Sequence, residues 1–229
     1  FGVASFWLKD RSAVMIALIF FCLILLAFTI SLIYTIFKVA ELRKGDKDYE
    51  NKASFIKYEA ITQTKIIYEA LKCIQSKVPM LREYEYSFQW SGSLRPIITS
   101  EFQDIGKITY KDDPSLFDVA VLKLRTPLFY NQNQVIHFRA ELDDTDLKSS
   151  THVINNIRQN LQTIQYRIIL KYKPNNYNKS AVLERINNKS ITKEFEKILE
   201  IPFDKITKSY NYTLVNPDVG YTYRLKWVR

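Results

Sequence analysis

Residues 12–37 read SAVMIALIFFCLILLAFTISLIYTIF and contain no charged side chain. An α-helix rises about 1.5 Å per residue, so this stretch is roughly 39 Å long as a helix. That is enough to cross a hydrocarbon core of about 30 Å with some tilt. The stretch is too long for the apolar part of a secretory signal, and no small-residue cleavage site follows it. We therefore expect residues 12–40 to form a transmembrane helix.

The charges that flank the apolar stretch indicate its orientation. Two cations precede it, and a larger group follows it: Lys9 and Arg11 before, and Lys38, Arg43, Lys44, Lys47 and Lys52 after. Because cytoplasmic flanks carry the excess of Lys and Arg, we expect the large domain in the cytoplasm and the protein in the cell inner membrane. Residues 1–11 include the apolar, aromatic run FGVASFWL, which suggests an interfacial segment or the end of a preceding span.

Ser31 and Thr35 are four residues apart and so share one face of the predicted helix. In a homo-oligomer these hydroxyls would face one another, and we name them as the pore-facing candidates. The alternative is a simple lipid anchor, because Ser and Thr hydroxyls also bond to carbonyls of their own helix.

A second helical pattern lies within residues 41–78, after a break at Gly45. Apolar residues recur on one side of it, with Glu and Lys filling much of the rest: Ile56, Ala60, Ile67, Ala70, Leu71 and Ile74. Pro79 ends the pattern. We expect a juxtamembrane amphipathic helix that either bundles with copies of itself or packs on its own domain.

From Tyr84 onward the apolar period changes to two, which is typical of strands with one buried face. The runs lie at 84–90, 117–124, 136–142, 166–172 and 221–227. Nothing resembles the βαβ units of a nucleotide-binding fold. Residues 79–229 therefore predict an antiparallel β-sandwich or barrel, with one short helix at 190–199 capped by Ser190. The whole chain is predicted to be a membrane-anchored α+β protein.

The domain lacks the residue patterns of a catalytic or metal site. The two histidines, His137 and His152, and one cysteine behind the span fit no usual zinc spacing. The acidic run at 143–146 lacks the Gly and closing Glu of a calcium loop, which favours a strand-to-strand turn. We expect no enzyme activity, no catalytic residue, no metal and no cofactor.

Two segments of the domain are rich in Lys and Arg, 162–189 and 205–229, in a chain of net charge +9. Clustered cations favour binding of a polyanion, although solvated strand faces explain the same pattern. If the strands at 166–172 and 221–227 are neighbours, their outward cations form one phosphate-binding patch: Arg167, Lys171, Arg224 and Lys226. Tyrosines in loop-like sequence are the candidates for stacking on bases: Tyr177, Tyr210 and Tyr212.

The order of a span at 12–37, a helix at 49–77 and strands from Tyr84 resembles the membrane effectors of bacterial antiphage signalling systems. The similar families are the two-span β-rich effectors of CBASS and the Hailong-type channel effectors. The resemblance covers most of the chain as architecture, and no motif transfers functional residues. It implies a homo-oligomeric, channel-like or membrane-disrupting effector gated by a nucleotide or single-stranded oligonucleotide, with a signal-producing enzyme as partner.

A second class of protein fits the same residues. A structural or adaptor protein would also be anchored in the lipid bilayer by residues 12–40, and it would bind another protein through the β-sandwich. It needs neither a pore nor a basic patch. The side of the membrane that holds the domain discriminates between the two hypotheses, because an external domain contradicts the effector.

Overall fold

The computed structural model describes residues 2–42, 48–111, 113, 116–192 and 194–229 of the chain. The chain divides into two compact units, Phe1–Lys44 and Gly45–Arg229. The first unit consists of one helix, and the second is built from strands.

The helix α1 (Gly2–Leu42) is continuous. Residues 3–42 contain neither Gly nor Pro, so nothing in the sequence interrupts its backbone hydrogen bonds. Residues 2–11, predicted as a separate segment, therefore run into the apolar stretch without a break. The stretch Val14–Val39 has a mean hydropathy of 3.0 and none of its side chains is buried, which are the length and composition of a membrane span.

The helix predicted for residues 49–77 is wrong. The structure has two antiparallel strands there, β1 (Tyr49–Ala60) and β2 (Lys65–Ser76), joined by a turn at 61–64. The pattern was misleading because apolar residues four positions apart share a face in a strand as well as in a helix. Ile66, Ala70 and Ile74 are buried on one such strand face. Of the segment 41–78, residues 43–47 lie outside the described residues.

Three sheets contain all the described strands. After β1 and β2 come β3 (Met80–Phe88), β4 (Ile97–Thr99), β5 (Gln103–Thr109), β6 (Asp118–Phe129), β7 (Asn133–Asp143), β8 (His152–Asn156), β9 (Thr163–Leu170), β10 (Ala181–Asn187), β11 (Glu196–Ile201), β12 (Ser209–Val215) and β13 (Tyr221–Lys226). The strand orders are β12-β9-β1-β2-β7-β4, β11-β10-β13-β8 and β3-β6-β5. All strand pairs are antiparallel except β1 with β9, which are parallel.

One face of the six-stranded sheet supports both hydrophobic cores of the domain. Its β9–β1 half packs on the four-stranded sheet, where Ile56 and Tyr166 meet Leu183 and Leu225. The β2–β7 half packs on the three-stranded sheet in a second core that contains Phe138. Even-numbered residues of four neighbouring strands share this face, as the strand period requires. The two smaller sheets therefore cover it side by side.

The strands predicted from Tyr84 onward are confirmed, with shifted ends, as β3, β6, β7, β9 and β13. The expectation of a purely antiparallel sheet is wrong, because β1 and β9 run parallel. The described strands form three sheets, and these do not close into a sandwich or barrel. The domain is mostly β, and its layers are held by burial on a common sheet face.

The short helix predicted at 190–199 is also wrong over its second half. Glu196–Ile201 forms β11, which pairs antiparallel with β10. Ile201 is buried in the core beside Ala181, its partner in the register. Pairing and burial override the helix preference of the Glu and Lys residues around it. Ser190 closes a turn instead, since its N–H donates to the carbonyl of Asn187.

We expect Phe138→Ala to destabilise the β domain by about 3–5 kcal/mol, because the ring is fully buried and leaves a cavity. Its ring stacks on Tyr86 with centroids 4.0 Å apart. Urea unfolding of the full chain in detergent micelles measures the loss. Phe129→Ala is the matched control, since Phe129 is 47% exposed and its loss costs about 0.5 kcal/mol or less. Equal losses for the two variants would contradict this core assignment.

Candidate functional site

Lysines and tyrosines meet at the end of the domain where β9 leaves the six-stranded sheet. Five residues form what we call the lysine–tyrosine cluster: Lys171, Tyr172, Lys173, Tyr177 and Lys208. The backbone holds two of the contributing segments together, because the N–H of Leu170 donates to the carbonyl of Lys208 at 2.8 Å. Lys208 has a φ of 49°, and this left-handed conformation completes the turn into β12.

The ammonium group of Lys208 connects this turn to the loop at 171–180, which follows β9. Its Nζ donates to the carbonyl of Lys173 at 2.9 Å and to that of Lys171 at 3.3 Å. An ammonium has three N–H donors, so one remains for another acceptor. Lys208 has no carboxylate partner within the described parts of the chain.

Lys173 is the most unusual member of the cluster. Only 7% of it is exposed, and its Nζ lies 4.2 Å from the ring centroid of Tyr177 and 5.2 Å from that of Tyr172. Among the residues that the structure describes, no carboxylate forms an ion pair with it. Burial lowers the pKa of the Lys173 ammonium, because removal from water disfavours the charged form.

The tyrosines predicted to stack on bases have different roles. Tyr210 is fully buried, so its ring cannot stack on a ligand, and this part of the prediction is wrong. Its hydroxyl donates to the carbonyl of Lys179 at 2.7 Å and lies 3.3 Å from the Tyr177 hydroxyl. Tyr177 is half-buried and donates to the carbonyl of Val228 at 3.0 Å. Tyr212 is half-buried against the core of the four-stranded sheet. Sequence pattern alone placed these residues in loops, whereas Tyr210 and Tyr212 belong to β12.

The four predicted phosphate ligands do not form one patch. Arg167 lies on the exposed side of β9 in the six-stranded sheet, and Lys171 follows the same strand. Arg224 and Lys226 lie on β13 in the four-stranded sheet. Since β9 and β13 turn their alternate residues into the shared core, these cations point to opposite outer faces. The condition of neighbouring strands is not met.

Two of these four cations are already paired. Lys171 Nζ lies 2.5 Å from Glu59 Oε1, and hydrogen bonds from Lys171 and Lys57 lower the pKa of that carboxyl. Arg224 donates twice to Glu184, at 2.8 and 2.5 Å, and its guanidinium stacks on Phe195. Arg167 and Lys226 are exposed and have no ion pair with any described residue. Lys171 and Arg224 are therefore held in local ion pairs and do not contribute to a common ligand surface.

A row of ionic contacts crosses the six-stranded sheet, beginning at the Lys171–Glu59 pair and ending at His137. Its Nε2 lies 3.1 Å from Glu69 Oε1, and Glu69 also contacts Lys57, which contacts Glu59. Its Nδ1 accepts the N–H of Glu101 at 2.8 Å, so Nε2 carries the proton in the neutral ring and donates to Glu69. The sequence suggested a polar strand face, but His137 is 1% exposed because the loop at 100–103 covers it.

The acidic run at 143–146 forms a turn that is held by hydrogen bonds to the buried Asp144. Asp144 is fully buried and accepts hydrogen bonds from the Ser149 N–H and from Arg229 Nη2, at 2.8 and 2.5 Å. The described residues contain no group of three or more His, Cys, Asp or Glu side chains that could hold a metal. Asp144 is thus used by the fold.

In the helical unit, the pore-facing candidates make a local contact. Thr35 Oγ1 donates to the carbonyl of Ser31 at 2.8 Å, as expected for a hydroxyl within a helix. The hydroxyl is satisfied without a second helix, although both residues still share one face.

No family model matches the chain, and no curated protein matches it. Among solved structures, baculovirus P35 is similar with a TM-score of 0.41 and 12% identity, covering 80% of this chain and 98% of that protein. An M1 zinc metallopeptidase from Deinococcus radiodurans is similar with a TM-score of 0.42 and 7% identity. That match covers 80% of this chain and 43% of the peptidase. Similarity at this level carries no conclusion about family or activity.

The charges of Arg224 and Lys226 act on the neighbouring His152, and this makes the stability of the domain depend on pH. Burial, then the charges of these two residues, hold the pKa of His152 below the usual histidine value of about 6.5, while Glu184 opposes them. The unfolded chain therefore binds a proton at higher pH than the folded domain, and stability falls as pH drops through about 6.5. The loss ends below the lowered pKa.

We expect wild-type protein to lose stability relative to His152→Gln between about pH 7.5 and pH 5, because glutamine takes up no proton in this range. Urea midpoints of both proteins across this range measure the difference. Parallel pH profiles would show that His152 is not shifted by its surroundings.

Proposed function

We propose that this protein is a non-enzymatic membrane effector, in which α1 anchors and oligomerises in a bilayer and the β domain binds an anionic ligand. The observation that carries the proposal is the segment Val14–Val39, whose side chains are all exposed. An apolar surface of this extent is unfavourable in water at about 25 cal/mol per Å². Lipid or copies of the same helix are the partners that would cover it.

Assembly in the bilayer would rest on the same helix. It carries few polar groups, and the Thr29 and Thr35 hydroxyls bond to their own backbone. Packing between copies would therefore depend on shape, with Ser31 and Thr35 as the small polar side of the helix. Such a bundle fits the proposed channel-like or membrane-disrupting action, although the helix at 49–77, on which the resemblance to antiphage effectors partly rested, is replaced by two strands.

The charge of the domain supports an anionic ligand. The chain has a net charge of +9, and the exposed Arg167 and Lys226 have no ion pair among the described residues. Positive potential attracts nucleotides and oligonucleotides and speeds their association. A nucleotide made by a partner enzyme is thus the proposed signal, and it requires the domain to be in the cytoplasm.

Leu25→Lys tests the membrane part of the proposal. Leu25 lies near the middle of the apolar stretch, where a lysine costs about 2.5–3.5 kcal/mol of insertion free energy. We expect wild-type protein to resist extraction from membranes by alkaline carbonate and to release dye from vesicles, and the variant to do neither. Leu25→Met is the matched control and should behave as wild type. Full extraction of the wild type, or protease access to its domain from outside intact cells, contradicts the proposal.

One observation favours an adaptor as the second candidate: β12 is a free edge of the six-stranded sheet. Its sequence, SYNYTLV, contains no charged residue and no proline, and these are the residues that usually prevent an edge strand from pairing with another chain. The Ser209 N–H donates to Asp204, away from β9, so Asn211, Thr213 and Val215 turn their backbone groups the same way. An extended segment of a partner protein could add there as a further strand.

Thr213→Pro tests this second candidate, because proline removes an outward N–H and leaves the bonds to β9 in place. If a partner adds a strand there, a photo-crosslinker at Asn211 should yield a defined adduct in cells with wild-type protein and lose it in the variant. Thr213→Ala should keep the adduct. An adduct that persists with proline would show that contact at this edge does not use strand pairing.

A further inference from the structure

Lys173 is a buried cation for which the described residues supply no carboxylate partner. Lys173 is only 7% exposed as a residue, and a buried lysine normally has a carboxylate partner, because an unpaired charge in the interior is costly. Two aromatic faces at 4.2 and 5.2 Å give it part of the missing stabilisation. Cation–π contacts stabilise a cation only in part and do not neutralise its charge.

The neighbouring carboxylates are already used. Glu59 pairs with Lys171 and Lys57, and Asp144 pairs with Arg229. Asp204 accepts hydrogen bonds from the Thr207 hydroxyl and the Ile206 N–H in its own turn. The positive charges of Lys173 and Lys208 are therefore unmatched over the described residues.

The geometry around the two ammonium groups is fixed by contacts other than ion pairs. Tyr177 is held by its bond to the Val228 carbonyl and by edge-on packing against Phe203. Tyr210, fully buried, fastens the loop through the Lys179 carbonyl. Lys208 is drawn over the loop by two carbonyls and keeps one free donor. The side chains that would form a binding site are thus held in place before any ligand binds.

We propose that Lys173 and Lys208 bind the phosphate group of a small phosphorylated ligand, with Tyr172 and Tyr177 as the walls of the site. A phosphate monoester carries about −1.5 to −2 charges near neutral pH, which matches two ammonium groups. Lysines bind phosphate as point charges, so neither needs the fork geometry of arginine. The site differs from the single phosphate-binding patch predicted from the sequence, whose four cations lie on two different sheets. It rests on the proposed function only for its biological role.

The burial of Lys173 gives a signature that a structural lysine would not have. If the ammonium is an unmatched charge awaiting an anion, its removal should stabilise the empty protein. If the ammonium instead serves the fold through its aromatic contacts, its removal should destabilise the protein. Burial lowers the pKa of the Lys173 ammonium in both cases, so the unfolding measurement has to distinguish them.

Thermal unfolding of the full chain in maltoside micelles, which contain no phosphate, tests the site with inorganic phosphate as the probe. Chloride at equal ionic strength is the reference. We expect phosphate to raise the melting temperature of the wild type saturably, by about 3 °C or more. Lys173→Met should melt higher than wild type without phosphate and show no phosphate shift. Lys208→Met should lose most of the shift.

Lys107→Met is the matched control, because Lys107 is exposed on β5 in the three-stranded sheet, and it should keep the full shift. Three results would each overturn the site: no shift in the wild type, an undiminished shift in Lys173→Met, or a lower melting temperature of that variant without phosphate. Dye release from vesicles is measured separately. Phosphate binding without dye release would therefore contradict the proposed function and leave the site intact.

Discussion

The β domain depends on one requirement, which is that the apolar face of the six-stranded sheet be covered. Ile56, Ala70, Phe138 and Tyr166 lie on this face in four successive strands, and all are removed from water. A single small sheet is too narrow to cover six strands, so the four-stranded and three-stranded sheets each take half. Tyr68 lies in β2 between the halves, and its hydroxyl meets that of Tyr86 at 3.1 Å. Loss of either smaller sheet would therefore expose half of this apolar face to water.

The sequence predicts the parts of this fold that obey a simple period. The apolar stretch around Leu25 and the alternation of Tyr84, Tyr86 and Phe88 are local signals, and both elements were found where expected. The helices predicted at 49–77 and 190–199 are wrong because the Glu and Lys residues there favour helix, while the strand character comes from pairing with other segments. The parallel pairing of β1 with β9 has no local signature at all.

The candidate site was harder to predict for a related reason. A count of cations gives net charge but does not show which carboxylate lies beside each one. Glu59 and Glu184 reach Lys171 and Arg224 only after the strands have paired, so two expected ligands became ion-pair partners. Lys173 is the reverse case, because nothing in its sequence indicates that a lysine between two tyrosines would be buried without an acid.

The parallel pair also determines the order in which the domain is completed during synthesis. Ala53 of β1 pairs with Thr163 of β9, so the centre of the largest sheet joins segments about 110 residues apart. At about 5–20 residues per second, the ribosome needs on the order of 5–20 s to deliver β9 after β1. During that interval the β1–β2 hairpin exists with one edge of β1 open. That edge is open to misassembly until β9 arrives, because an unpaired apolar strand is a template for pairing with other chains.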